Sequence, residues 1–195
     1  KKYFKYLENI FLKEENATII FGGRLSLYLT NKYFNNQEGG AERSNLIWEG
    51  KYFSKDENYT INETFKNSIK KISKKNNVIL IYPIPEVGWH LPRKLTNKIR
   101  KNNNKNLISI SEYITTSYEV YISRNKKSFD LLDSVNNQNI YRIYPHKLFC
   151  DTAIENRCLT HDNKNIYYYD YDHLSAYGAS LVNKEIMKII NKINR

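Results

Sequence analysis

Short runs of consecutive apolar residues alternate along the chain with segments in which apolar residues recur at helical spacing. The runs that stop abruptly at glycine or proline predict buried strands. Extended segments are predicted at residues 17–21, 78–82, 107–110, 140–144 and 166–169. Helices are predicted at residues 2–13, 62–75, 93–102, 111–136 and 174–193.

This alternation predicts the fold class. Strands that are apolar throughout, with a helix between one strand and the next, indicate a mainly parallel sheet covered on both faces. We therefore expect an α/β fold, a three-layer α/β/α sandwich, in a single domain over residues 1–195. Residues 24–60 are polar and predict a long connection.

The charge of the chain suggests a nucleic-acid partner, but its distribution does not support one. The formal net charge is +11, from 31 Lys and Arg against 20 Asp and Glu. Basic residues are spread from Lys1 to Arg195 without an arginine-rich stripe, and the excess is mostly lysine beside abundant Asn, Ile and Tyr. That composition indicates an AT-rich genome, and no nucleic-acid partner is predicted. Neither a membrane-spanning run nor a signal peptide is predicted within the sequence.

The two cysteines, Cys150 and Cys158, are separated by seven residues. This spacing is neither the start of a zinc site nor a C-x-x-C redox pair. A small disulfide-closed loop fits better and would indicate an oxidising compartment, while two buried free thiols remain the alternative.

Three clusters follow predicted strands, where ligand sites of parallel sheets lie. They are Gly22-Gly23-Arg24, the segment 83–92 (PIPEVGWHLP) and the segment 167–179 (YYYDYDHLSAYGA). In the last, Asp170 and His173 form a D-x-x-H pair directly before a helix. Such a carboxylate can hold one imidazole nitrogen and leave the other to act as a general base. The alternative is that Asp172 caps the helix and the histidine is incidental.

The remaining serines and histidines give weaker signals. Ser26 and Ser175 fall at predicted helix starts without a nucleophile motif, so neither is expected to be a nucleophile. The histidines lack metal-ligand spacing, and no metal or other cofactor is predicted. His146 and His161 are expected at the surface, while His90 lies in a segment that could contact substrate.

The order of four segments resembles a known family. The block DYDHLSAYGA after a tyrosine-rich strand is similar to the C-terminal block of SGNH-type hydrolases and acyltransferases. More narrowly, it resembles the extracytoplasmic SGNH domain fused to bacterial membrane-bound acyltransferases of family three. The segments ATIIFGGRLSLY, VILIYPIPEVGWHLP and YPHKLFCDTAIENRC resemble other blocks of that subgroup in the same order. Leu25 stands where the subgroup has Trp or another bulky residue.

The resemblance implies an SGNH/flavodoxin-like sandwich and assigns roles to matching residues. Asp170 would orient the catalytic base, and His173 would be that base. Arg24, with Gly23, would lie near the oxyanion or acyl-group site. The cleft mouth would be lined by Pro85, Glu86, Gly88 and Trp89, and Cys150 would be disulfide-bonded to Cys158.

The sequence departs from the family at one essential point. Family members begin with a strand and a Gly-Asp-Ser block that carries the nucleophile, and no Gly-Asp-Ser occurs here. We therefore expect the domain to be N-terminally incomplete, lacking its first strand. The serine would lie upstream of Lys1, and the 195 residues alone would be inactive.

The implied function is O-acyl transfer, usually of acetyl, to a cell-surface polysaccharide such as lipopolysaccharide O-antigen or exopolysaccharide. A membrane acyltransferase domain of the parent chain would deliver the acyl donor at the periplasmic, extracytoplasmic face of a bacterial inner membrane. The alternatives are an SGNH esterase and a non-catalytic carbohydrate-binding domain, with Trp48 and Trp89 as stacking surfaces.

Overall fold

A computed structural model describes residues 2–49, 60–101 and 112–194. Its helices are α1 (Lys2–Lys13), α2 (Leu25–Thr30), α3 (Ile61–Ile72), α4 (Leu91–Lys101), α5 (Tyr118–Asp133), α6 (His146–Phe149) and α7 (Ala176–Ile193). Its strands are β1 (Thr18–Phe21), β2 (Asn77–Ile81), β3 (Thr115–Ser117), β4 (Ile140–Ile143) and β5 (Arg157–Leu159). No helix among these residues combines the length and the apolar character that crossing a membrane requires.

The main sheet is parallel and has the order β1-β2-β4. In its register, Ile20 of β1 lies beside Ile79 of β2, and Ile79 lies beside Tyr141 of β4. The central strand β2 is apolar throughout because it is covered on both faces, and Val78, Ile79 and Leu80 are fully buried. The predicted α/β class with a parallel sheet is confirmed.

Alternate residues of β2 point into two separate apolar cores. Ile79 belongs to a core that contains Leu91 of α4 and Val182 of α7. Val78 and Leu80 belong to a second core that contains Ile69 of α3. Helices therefore cover opposite faces of the sheet, as the three-layer prediction requires.

A second, two-stranded antiparallel sheet pairs β3 with β5. The disulfide between Cys150 and Cys158 closes the loop before β5, and both cysteines are buried. The predicted disulfide is confirmed. The strand β5 is only three residues long and was not predicted from the sequence.

Three predicted elements differ from the structure or lie outside it. The single helix predicted over 111–136 is wrong at its start, because residues 115–117 pair with β5 and α5 begins at Tyr118. The strand predicted at 107–110 lies outside the described residues. The segment predicted as a long connection, 24–60, contains the helix α2 and two isolated β-bridges. Its residues 50–59 lie outside the described residues.

Candidate active site

The loop between Tyr169 and α7 is closed by short-range hydrogen bonds. The amide of Tyr169 donates to the carbonyl of His173 at 2.8 Å. Ser175 is the N-cap of α7, because its Oγ accepts a hydrogen bond from the amide of Gly178 at 3.1 Å. The cap is therefore Ser175, and the alternative that Asp172 caps this helix is wrong.

Asp170 and His173 form a hydrogen-bonded pair within this loop. The His173 Nδ1 lies 2.9 Å from Asp170 Oδ2 and 3.1 Å from Oδ1. Asp170 Oδ1 also accepts hydrogen bonds from the amides of Asp172 and His173, at 3.0 and 2.9 Å. A carboxylate at Nδ1 favours a proton on that nitrogen, so Nε2 is left with a free lone pair. The side chain of His173 is 72% exposed, so Nε2 is accessible to a reactant.

The same contacts tune the acidity of both groups. The hydrogen bond that His173 donates to Asp170 and the nearby charge of Asp172 raise the pKa of His173 above its ordinary value, against a smaller effect of burial. Burial acts to raise the pKa of Asp170, but hydrogen bonds from two amides and from the His173 ring together lower it. Asp170 therefore remains ionised and strengthens His173 as a base.

Asp172 connects this loop to the glycine turn after β1. Its Oδ2 lies 3.0 Å from Arg24 Nη1, and its Oδ1 lies 3.6 Å from His173 Nδ1. Burial raises the pKa of Asp172, although the positive charge of Arg24 opposes that shift. Arg24 thus fixes the position of a second carboxylate beside the histidine.

Arg24 directs all three guanidinium nitrogens at carboxylates. Its Nε donates to Glu86 at 2.9 Å, and its Nη1 donates to Glu42 at 3.1 Å. Its Nη2 contacts both of these glutamates, and Nη1 also contacts Asp172. Burial acts to lower the pKa of Arg24, but the three carboxylates raise it, so the guanidinium is permanently charged. In this arrangement Arg24 holds the surrounding carboxylates in place.

Glu86 is a buried carboxylate with two arginine partners. Its side chain is 5% exposed, and its Oε2 accepts from Arg124 Nε at 3.1 Å. Arg124 also donates to Thr30 and to the carbonyl of Lys32, each at 2.7 Å. Arg124 could not be identified from the sequence, because it lies among other basic residues of a helix and no motif distinguishes it.

A cavity of about 460 Å³ opens beside this network. Four of the predicted site residues line it, namely Gly23, Arg24, Glu86 and His173. Its apolar wall includes Ile81 at the end of β2 and Val182 and Ile186 of α7. Trp89 and Gly88 instead line a neighbouring pocket, which also contains Tyr171. The structure therefore brings the glycine turn, the glutamate and the histidine together and places the tryptophan outside their cavity.

The segment that carries Glu86 and Trp89 is tied to the histidine loop. The amides of Val87 and Gly88 donate to the carbonyl of Tyr171 at 2.8 and 3.1 Å. Asn36 is fully buried, and its Nδ2 donates to the Val87 carbonyl at 2.9 Å. An Asn-rich sequence gives no signal that could have identified this residue in advance.

No serine hydroxyl in the described part of the chain is hydrogen-bonded to His173. Ser26 lines the cavity, but its side chain is buried and its Oγ contacts Asn125 and Ser128. The hydroxyl of Ser175 donates to the carbonyl of Ile166 at 2.6 Å. Both hydroxyls are committed to structural hydrogen bonds.

Two other histidines are internal, so their predicted surface positions are wrong. His146 is 7% exposed, and burial lowers its pKa to about 4. His161 is 1% exposed, and its Nε2 accepts from the amide of Ile114 at 3.0 Å. Burial also lowers the pKa of His161. Both therefore pack as neutral rings.

Asp170, Asp172 and His173 are also close enough to share a metal ion, with ligand atoms within 4.8 Å of one another. Each already has a partner, since Asp170 holds His173 and Asp172 is paired with Arg24. The contacts therefore fit an oriented base better than a set of free ligands.

Among comparisons with known proteins, one family model matches most of the chain. The family model described as "SGNH domain (fused to AT3 domains)" matches residues 2–188. Among solved structures, the periplasmic domain of a lipopolysaccharide acetyltransferase from Salmonella ser. Paratyphi A is similar at 23% identity and a TM-score of 0.42. The match covers 77% of this chain and 56% of that one, so this chain spans little more than half its length. No curated protein matches the chain.

Proposed function

The chain belongs to the family of SGNH domains that are fused to AT3 domains, and on that premise we propose that it supplies the base of a serine-dependent O-acyltransferase. His173 is the general base, and Asp170 orients it. The observation that carries this proposal is the 2.9 Å contact between His173 Nδ1 and Asp170 Oδ2, which leaves Nε2 exposed at the cavity.

The proposed nucleophile is a serine that these 195 residues do not contain in a Gly-Asp-Ser block. The free edge of β1 supports a position for it. Among the described residues β1 pairs on one side only, with β2. Ile20 in the middle of β1 is 45% exposed, whereas its neighbour Ile79 is fully buried. A further parallel strand at this edge would cover Ile20 and end beside the glycine turn and His173.

The reaction then follows from the position of the free nitrogen. His173 Nε2 takes the proton of the serine hydroxyl while the serine oxygen bonds to the acyl carbon of the donor. The donor's leaving group departs with that proton. A sugar hydroxyl next gives its proton to Nε2 and attacks the acyl-serine. The bond between the acyl carbon and the serine oxygen breaks, and His173 returns the proton to serine. Transfer therefore increases as pH rises through the raised pKa of His173.

Gly23 and Arg24 are proposed to border the acyl group, since both line the cavity beside His173. A β-carbon added at Gly23 would meet nothing within 4 Å, so the turn leaves open space at that point. Because Arg24 is bonded to three carboxylates, its contribution is to hold Glu86 and Asp172 at fixed positions around the reacting atoms.

The acceptor is proposed to be a cell-surface polysaccharide, with acetyl as the acyl group and a membrane acyltransferase domain of the parent chain as the source of the donor. The buried disulfide supports a periplasmic or other extracytoplasmic location, because disulfides persist in oxidising compartments. Ester hydrolysis is the second candidate. The 72% exposure of His173 favours it, since water reaches this nitrogen when no acceptor excludes it.

The test compares the 195-residue chain with the longer protein that includes the sequence before Lys1. We expect hydrolysis of a small acetyl ester and acetyl transfer to polysaccharide only with the longer protein. Robust turnover by the 195-residue chain that is lost in His173→Ala would contradict an external serine. Turnover by the longer protein that survives His173→Ala would contradict the assigned base.

A further inference from the structure

We propose that the pocket between α4, the segment after β2 and Tyr171 binds an acidic saccharide unit of the acceptor. We call it the α4 pocket. That the ligand is part of the acceptor rests on the proposed function. The binding site itself rests on the residues of the pocket.

The α4 pocket is an open depression of about 590 Å³ beside the catalytic loop. Tyr171 joins the two sites, because it lines the α4 pocket and lies between Asp170 and Asp172 in sequence. The carbonyl of Tyr171 accepts the amides of Val87 and Gly88, so its position is fixed relative to both sites. A ligand in the pocket therefore lies next to the loop that carries His173.

The charge of this pocket is of one sign. The lining residues from α4 include Arg93, Lys94, Lys98 and Lys101, and none of the described lining residues is acidic. Glu38 lies near enough to influence Lys94, but its carboxylate is bonded to Arg157. Lys98 donates to the carbonyl of Glu112, which holds its ammonium at the wall. Among the described residues, this concentration of positive charge would attract an anionic ligand.

Lys94 is held against an aromatic ring. Its Nζ lies 3.7 Å from the centre of the Trp89 ring, a cation–π contact that fixes its position. Burial and the charge of Lys98 lower the pKa of Lys94, so a negative partner would relieve an unfavourable environment. Because Lys94 occupies one face of the Trp89 indole, the role of Trp89 in this pocket is to position the cation. The proposal therefore does not require a sugar ring to stack on Trp89.

His90 adds an imidazole ring to the wall of the same pocket. It lines the same pocket, and its Nδ1 is buried without a hydrogen-bond partner in the described structure. Its ring packs edge-on against Tyr171 at 5.9 Å. Several cations beside an imidazole and an aromatic side chain match a sugar that carries a carboxylate or a phosphate.

The test measures binding to the 195-residue chain without an acyl donor. The probes are trigalacturonate, glucose 1-phosphate, neutral maltotriose and inorganic phosphate, titrated calorimetrically at low salt. Arg93→Gln/Lys94→Gln is compared with Lys70→Gln/Lys71→Gln, a control pair of exposed cations on α3. The single variant Lys101→Gln gives a milder change on an exposed side chain if the double variant does not fold.

We expect at least one acidic saccharide to bind, with a Kd about tenfold higher in Arg93→Gln/Lys94→Gln and about threefold higher in Lys101→Gln. The control pair should change the Kd by less than about twofold, and maltotriose should bind at least about tenfold more weakly. Equal weakening by the control pair would show general polyelectrolyte attraction and overturn the proposal. Phosphate binding as tight as that of both acidic sugars would show an adventitious ion only and also overturn it.

His173→Ala separates this inference from the proposed function. It should bind the acidic probe with unchanged affinity, because His173 does not line the α4 pocket. Loss of acyl transfer in the longer protein with intact probe binding would contradict the proposed function and leave the binding site standing. If no acidic probe binds while the longer protein still transfers acyl groups, the proposed binding site is contradicted and the proposed function is not.

Discussion

Replacement of Glu86 by glutamine tests whether the arginine–carboxylate network is a structural support of the site. Glu86 is 5% exposed and accepts hydrogen bonds from Arg24 and Arg124. Glutamine retains one oxygen, which can still accept from Arg24. Its amide group would face the Nε of Arg124, so two donors would meet and the buried arginine would lose its counter-charge.

The size of the effect follows from these contacts. Removal of one partner of a buried ion pair costs about 3–5 kcal/mol, because the other charge remains desolvated. Arg24 keeps Glu42 and Asp172 as partners, which reduces the cost on its side. We therefore expect Glu86→Gln to lower the free energy of unfolding by about 3 kcal/mol. That is a large part of the roughly 5–15 kcal/mol that stabilises a typical domain.

Urea unfolding of the 195-residue chain, followed by circular dichroism, measures this difference. Glu185→Gln is the matched control, since Glu185 pairs with Lys188 on the surface of α7. The control should change the free energy of unfolding by less than about 0.5 kcal/mol. A loss below about 1 kcal/mol in Glu86→Gln would mean that the carboxylate is not the counter-charge that Arg24 and Arg124 require.

Three further perturbations test other parts of the fold. Gly178→Ala would place a β-carbon 2.2 Å from the carbonyl oxygen of Tyr167; thermal unfolding should show a net loss of about 1–2 kcal/mol despite the better helix propensity of alanine, and a gain would contradict the close contact. Conversion of both Cys150 and Cys158 to serine opens a loop of sequence separation 8; urea unfolding should show a loss of about 2.5 kcal/mol, and an unchanged midpoint would contradict a stabilising disulfide. His146 binds its proton more weakly when folded, at a pKa of about 4 against 6.5 when unfolded, so its contribution to stability falls as pH drops below 6.5. Between pH 7 and 5 this contribution should fall by about 2 kcal/mol, and a His146→Gln variant that keeps the full pH dependence would exclude that histidine.

The main sheet could be predicted from sequence because its strands carry a strong local signal. Val78, Ile79 and Leu80 are consecutive apolar residues, a pattern typical of a strand that is covered on both faces. The short strands β3 and β5 have no comparable signal, since three residues are too few for periodicity and their pairing depends on a distant partner. The buried positions of His146 and His161 were missed for a similar reason, because burial of a polar ring depends on tertiary packing.

In the candidate site, too, the contacts within one loop could be predicted from the sequence and the contacts between distant segments could not. Asp170 and His173 could be predicted because their hydrogen bond is formed within one short loop. Arg124 could not, because its role depends on a contact with Glu86, which is 38 residues distant in sequence. The bonding of Arg24 to three carboxylates likewise arises only when separate strand ends and loops meet.

His173, oriented by Asp170, is proposed to activate a serine from outside these 195 residues. The direct test is mass spectrometry of the longer protein after brief exposure to an acetyl donor and acid quench, with Lys188→Gln as the surface control. We predict an acetyl group on the serine of a Gly-Asp-Ser block in the wild type and the control, at least about a thousandfold slower to form in His173→Ala. Acetylation that proceeds at the wild-type rate in His173→Ala, or that occurs on no serine at all, would contradict the claim.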